Sequence, residues 1–212
     1  MFRSIFRPYG LVWTVLNTVT DVVGLTLCWL LCCLPIVTVF PATAALYDAV
    51  VHGIRYREEG PYKRFFRTFR AEWKSGILST LLWGAVLGFF GYLLAVLLTM
   101  ARQDSDFSLY AGVYLAGMLL PIGAACWSAA IISRFTFSFL ALTGTAVRFV
   151  IAHFFRSLGI AACTVALAVF TWNYPIWIFA APACLMLLWS VFAEPVFAKY
   201  GAAITPVTPD ED

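Results

Sequence analysis

The stretch SLGIAACTVALAVFTWNYPIWIFAAPACLMLLWSVFA, Ser157–Ala193, carries no charged side chain from end to end. As a single helix it would be roughly 55 Å long at 1.5 Å per residue. The hydrocarbon core of a bilayer is only about 30 Å thick, so one straight crossing cannot absorb it. Trp172-Asn173-Tyr174-Pro175 supplies the break: a turn-forming Asn, a Pro, and two aromatics suited to a membrane–water boundary. The stretch therefore reads as a hairpin of two spans, about 157–172 and 176–193. Arg156 snorkels to the headgroups at its start, and Glu194-Pro195 closes the second span.

Working outward, 75–101 and 107–133 are also free of charge, and each is long enough for one crossing. The whole chain fits that solvent. Of its 212 residues 62% are hydrophobic and 12% charged, against about half and a quarter in soluble domains. That much apolar surface would aggregate in water. The expected fold is all-α, a polytopic transmembrane helical bundle forming a single domain over 1–200. Residues 201–212, rich in Pro and acid, read as a disordered cytoplasmic tail.

The opening stretch admits two readings. Between Leu11 and Val51 lie Asp21, Pro35, Pro41 and Asp48. A bent hairpin, 11–34 and 36–52, gives six membrane segments; a single span there gives five. Charge separates them. With the hairpin, both termini are cytoplasmic and every one of the 14 Lys and Arg residues except Arg102 faces inward. With the single span, Arg3 and Arg7 move outside as well. The positive-inside bias favours six, with five as the alternative. A cleaved leader does not fit, because the apolar run from Leu11 is too long and further spans follow.

The strongest local pattern runs from Tyr62 to Lys74. Apolar residues at 62, 65, 66, 69 and 73 mark one helical face, and Lys63, Arg67, Arg70 and Lys74 another, with Arg64 beside them. Gly60-Pro61 suits its start. This is a basic amphipathic cytoplasmic helix, fit for anionic headgroups or for a protein partner, and too short to favour nucleic acid. A weaker echo, with Arg148 and Arg156, precedes the 157–172 span. Phe155-Arg156-Ser157 matches Trp73-Lys74-Ser75 in type, which hints at a duplicated unit.

Asp21 and Asp48 are the acids nearest hydrocarbon, where a carboxylate is costly and invites a functional reading. They could line an ion or solute path, or sit at helix ends paired with Arg55 or Arg57. Gly84, Gly88 and Gly91, with Gly112, Ala116 and Gly123 in the next span, read as close helix-packing faces. The six cysteines all lie in apolar runs and read as small hydrophobes, so neither disulfides nor a metal is expected. No phosphate loop, His-rich metal pattern or nucleophile–base spacing is present, so neither enzyme activity nor a cofactor is expected.

Three blocks over Asp21–Gly76 carry a resemblance. They are Trp29-Leu30-Leu31-Cys32-Cys33-Leu34-Pro35-Ile36-Val37-Thr38, Pro41-Ala42-Thr43-Ala44-Ala45-Leu46-Tyr47, and Phe65-Phe66-Arg67-Thr68-Phe69-Arg70 followed by Trp73-Lys74-Ser75-Gly76. In order and spacing they resemble the YesL-like membrane proteins, a bacterial family of unknown function. Thr26 and Phe40 depart from the residues common there. The resemblance implies a plasma-membrane protein kept in the company of ATP-binding-cassette sugar transporters. It implies no functional residues.

Two functions are then expected. The first is an accessory to, or regulator of, carbohydrate uptake, touching transporter subunits through its basic face. The alternative is a small-solute or ion transporter built on Asp21 and Asp48. The bilayer is a partner under either reading, and a homo-oligomer is compatible with both.

Overall fold

The computed structural model describes residues 11–102, 106–135 and 139–200, and in these ranges the chain is helical with no strand. Helix α1 spans Leu11–Cys32 and stops short of Pro35, whose backbone cannot continue it. Thr38 caps the gap by donating its hydroxyl to the Cys32 and Pro35 carbonyls. A 3₁₀ turn, Ile36–Thr38, feeds α2, Val39–Val50, which runs on as a π turn through Val51–Arg55. Then come α3, Pro61–Ala71, and α4, Trp73–Ala101. Next are α5, Asp106–Gly117, and α6, Leu119–Ile132. They join at Met118, where Pro121 lacks the N–H that would bond the Gly117 carbonyl. The chain closes with α7, Phe139–Ala152, α8, Phe154–Asn173, and α9, Ala181–Lys199.

Among the described residues, five helices are long and apolar enough to cross a membrane: Ile36–Arg55, Trp73–Ala101, Leu109–Ile132, Phe154–Asn173 and Ala181–Lys199. The apolar run Leu16–Cys32 in α1 is shorter. Three expected boundaries move. The last span does not occupy 176–193, because Pro175–Phe179 is a 3₁₀ turn and α9 starts at Ala181, with Pro182 in its first turn. Nor does Glu194-Pro195 end that helix, which continues to Lys199 and forgoes only the bond to the Val191 carbonyl. The basic helix breaks at Glu72, so Trp73 and Lys74 open α4. Residues 201–212, Arg3 and Arg7 lie outside the described residues.

Two halves share one plan. α3 folds back along α2, and α7 folds back along α6. Each short helix then passes through a single non-helical residue, Glu72 or His153, into a membrane-length helix. The register that lays Trp73 on Phe155 also lays 41–50 on 123–132, and burial repeats along those segments residue for residue. Both halves are pinned by close backbone approach. A Cβ on Gly76 would stand 2.6 Å from the Pro41 ring, and one on Gly123 would stand 3.3 Å from the Ser157 carbonyl oxygen.

α2 and α6 form the centre, with Leu46, Val50, Trp127 and Ile131 buried beside Leu25 of α1 and Phe197 of α9. The apolar window of Ile36–Arg55 is 67% buried, that of Trp73–Ala101 only 6%. An apolar helix with so few of its residues fully buried needs hydrocarbon as its solvent. The expected glycine packing face fails for the same reason. Nothing lies within 4 Å of a Cβ built at Gly84, Gly88, Gly91 or Gly112; Gly84, Gly88 and Gly112 are exposed, and so is Ala116.

Candidate functional site

At one end of the bundle the π turn prepares a site. Asp48 and His52 stand one helical turn apart, so both point the same way. The Tyr56 N–H reaches back five residues to the Val51 carbonyl, and Glu58 N–H bonds the His52 carbonyl. The chain then reverses through left-handed Arg57, φ 57°, and Gly60, φ 73°. Pro61 starts α3 hard against Gly53, where a Cβ would lie 2.6 Å from the Pro61 ring. That reversal returns Arg64 over α2.

Arg64 then binds three groups. Its Nε donates to Asp48 Oδ2 at 3.0 Å, its Nη1 to Glu58 Oε2 at 2.8 Å, and its Nη2 approaches His52 Nε2 at 2.7 Å. Thr68, one turn on, donates to the same Asp48 oxygen at 2.7 Å. Proximity in sequence offers Arg55 or Arg57 as one possible partner for Asp48; α3 delivers Arg64 instead. Arg55 bonds Ser190 Oγ at 2.7 Å, and exposed Arg57 occupies the turn.

A second guanidinium meets the same imidazole. Arg134 Nη1 lies 3.2 Å from His52 Nε2, and its Nη2 donates to Glu194 Oε1 at 2.7 Å. Tyr47 donates to that carboxylate at 3.0 Å and Tyr56 at 3.4 Å. A guanidinium can only donate, so His52 Nε2 must be the acceptor. Its proton therefore sits on Nδ1, 3.0 Å from Asp48 Oδ1. Burial and the Glu194 carboxylate push the Tyr56 phenol above its ordinary range, which keeps it a donor.

Asp21 belongs to a smaller link: the Tyr62 hydroxyl bonds it, and burial together with that carboxylate raises the Tyr62 phenol. A Cβ on Gly24 would overlap the same hydroxyl, so α1 and α3 meet here. Of the seven cations singled out from the sequence, Lys63, Arg67, Arg70, Lys74, Arg148 and Arg156 are exposed. Arg64 alone of them turns inward, its side chain 26% exposed.

Chemically the network is a clamp. Each of its carboxylates already accepts from a cation, a hydroxyl or both. Among the described residues no group of three His, Cys, Asp or Glu is placed to hold a metal ion, and the cysteines there are unpaired. Sequence reading passed over His52, Glu58, Thr68, Arg134 and Glu194. The Asp48–His52 spacing is a local signal, while Arg134 and Glu194 are far from it along the chain.

No curated protein and no solved structure matches this chain. Arg134 and Glu194, which complete the network, lie outside residues 22–102. Over residues 22–102, from within α1 to the end of α4, the chain matches the model of a family described as "Protein of unknown function, DUF624", the family to which YesL-like proteins belong.

Proposed function

We propose that the chain is a bacterial plasma-membrane protein that assists or regulates carbohydrate uptake, docking on a subunit of an ATP-binding-cassette-type transporter through its basic face. In this reading it crosses the membrane six times, with α1 as the first crossing, and both termini, α3 and α7 are cytoplasmic. It is not an enzyme. The observation that carries the reading is the setting of α3. Arg64 and Phe65 are turned into the bundle, and the helix is fixed by them, while Lys63, Arg67 and Arg70, with Lys74 at the start of α4, stand outward.

A helix that only needed to lie on anionic lipid would gain about 1 kcal/mol from each cation without any such clamp. Rigid presentation of charge suits a protein partner, because ordering a docking surface in advance lowers the entropy lost on binding. The company implied by the resemblance over Asp21–Gly76 supports the choice of partner. The positive-inside bias supports the orientation. Asp48 and Asp21 are both engaged by α3 side chains, which gives the transporter reading no free carboxylate among the two.

The test is capture in intact cells. A photoreactive residue replacing Arg70 should crosslink a transporter subunit, and the Lys63→Glu/Arg67→Glu/Lys74→Glu background should lose that product at unchanged membrane level. Equal capture from both backgrounds, or labelling of position 67 from outside the cell, would end the proposal.

A further inference from the structure

The half of the bundle away from the ion network contains a cavity of about 1060 Å³. Trp29, Thr43, Trp83, Cys126, Thr164 and Trp189 line it, drawn from α1, α2, α4, α6, α8 and α9. Its rim includes exposed residues, Gly84 and Ala168 among them, so it opens on the lateral surface that hydrocarbon must cover.

Three of the four indoles in its wall and all four threonine hydroxyls are engaged within the protein. Trp29 Nε1 donates to Thr43 Oγ1 at 3.2 Å, and that hydroxyl donates to the Val39 carbonyl at 2.7 Å. Trp189 Nε1 donates to Thr164 Oγ1 at 3.0 Å, whose proton goes to the Ile160 carbonyl at 2.7 Å. Trp83 Nε1 bonds Ser128 at 3.0 Å. Thr80 and Thr171 donate to carbonyls in their own helices. Away from the exposed Trp172 indole at the rim, a sugar entering here would shed water and find no indole or hydroxyl proton free to replace it. Hydrocarbon loses nothing.

Size and position narrow the occupant further. Sites for drug-sized molecules run to about 300–1,000 Å³, so this cavity has room for more than one short chain. Trp172, itself part of the lining, is 88% exposed, with Trp177 and Tyr174 exposed beside it. Amphipathic rings of this kind lie at headgroup depth. We propose that the cavity binds the acyl chains of one diacyl phospholipid, with its headgroup at the Trp172–Trp177 level.

Gly84 offers a clean block, since a Cβ there meets nothing within 4 Å and the residue borders the cavity. Full-length protein, purified in mild detergent, would be examined by native mass spectrometry and by phospholipid assay after solvent extraction. Wild type and Gly112→Phe, an equally open position off the cavity, should keep stoichiometric phospholipid through repeated detergent exchange. Gly84→Phe should keep about tenfold less. Should that variant misfold, Ala168→Phe makes the same test from α8. Wild type carrying only detergent, or equal retention by the folded cavity variant, would overturn the proposal.

Discussion

His52 and Arg134 occupy equivalent positions in the two halves of the molecule, and they touch, imidazole Nε2 to guanidinium Nη1 at 3.2 Å. The register that lays Trp73 on Phe155 lays one on the other. The ends of α2 and α6 that carry them therefore run side by side in the same direction, as parallel repeats require. Arg134 also reaches Glu194 on α9, and His52 reaches Arg64 on α3. One contact thus joins both halves to the last helix.

Because the Arg134 and Glu194 side chains are each only 6% exposed, removing one strands the other. Arg134→Met should lower stability by about 3–5 kcal/mol, the range for breaking a buried pair. Arg134→Met/Glu194→Met should recover most of that, because no charge is then left uncompensated. Thermal unfolding in detergent, read as a double-mutant cycle, measures the coupling. A double variant as weak as the sum of the singles would show that the pair does not act as one unit.

Neighbouring arginines on α3 should behave oppositely. Arg64→Ala leaves Asp48 buried without its cation and frees α3; because Arg64 is 26% exposed, the cost falls near about 2–3 kcal/mol. Arg67→Ala, on the exposed face, should change stability by less than about 0.5 kcal/mol. Limited proteolysis in the 56–60 turn reports seating directly, with faster cleavage expected for Arg64→Ala alone. Equal cleavage of the two variants would detach Arg64 from the seating of α3.

That contrast marks what could be read in advance. Helicity and membrane character follow from long windows without charge, such as 75–101, because solvent selects on composition alone. The break after Trp172 was visible because Asn and Pro act locally. Where α9 begins was not, since Pro175 and Pro182 are both acceptable starts and packing chooses between them. Arg64 looks like its neighbours in a row of cations; only the reversal at Arg57 and Gly60 tells which one returns over Asp48. Glu194 before Pro195 looks like a helix end until Arg134 arrives from α6. The glycine stripe misled because spacing shows which residues share a face, not whether a helix or lipid lies opposite.

The glycine correction is itself testable. Gly76→Ala drives a methyl to 2.6–2.9 Å from Pro41 ring atoms, which cannot rotate away, so α2 and α4 must part. Overpacking of this kind costs about 1–3 kcal/mol. Gly88→Ala meets open space and should be neutral or stabilising by up to about 1 kcal/mol, since alanine favours the helix. The two melting curves should move in opposite directions or only the first should move. A Gly88→Ala loss matching that of Gly76→Ala would restore the packing face.

His153 gives the fold a pH dependence that can be isolated. Its ring packs edge-on against Phe149 of α7 and Tyr200 after α9, with centroids 6.0 and 6.2 Å away. Its Nε2 is buried and has no hydrogen-bond partner among the described residues. Burial, then the nearby charges of Arg156 and Lys199, hold its pKa below the ordinary 6.5. The unfolded chain therefore takes up the proton more readily than the folded one. By linkage, the stability that follows is complete above 6.5 and drains away as pH falls through the lower folded value. Other titrating groups also shape the wild-type profile, so it alone does not single out one group. The difference between wild type and His153→Gln does. Melting curves from about pH 8 to about pH 5 should fall more steeply for wild type, with the divergence opening below the ordinary histidine range. Parallel curves would mean that the ring accepts its proton in the folded state without penalty, and that the contacts joining α7, α8 and the end of α9 survive it.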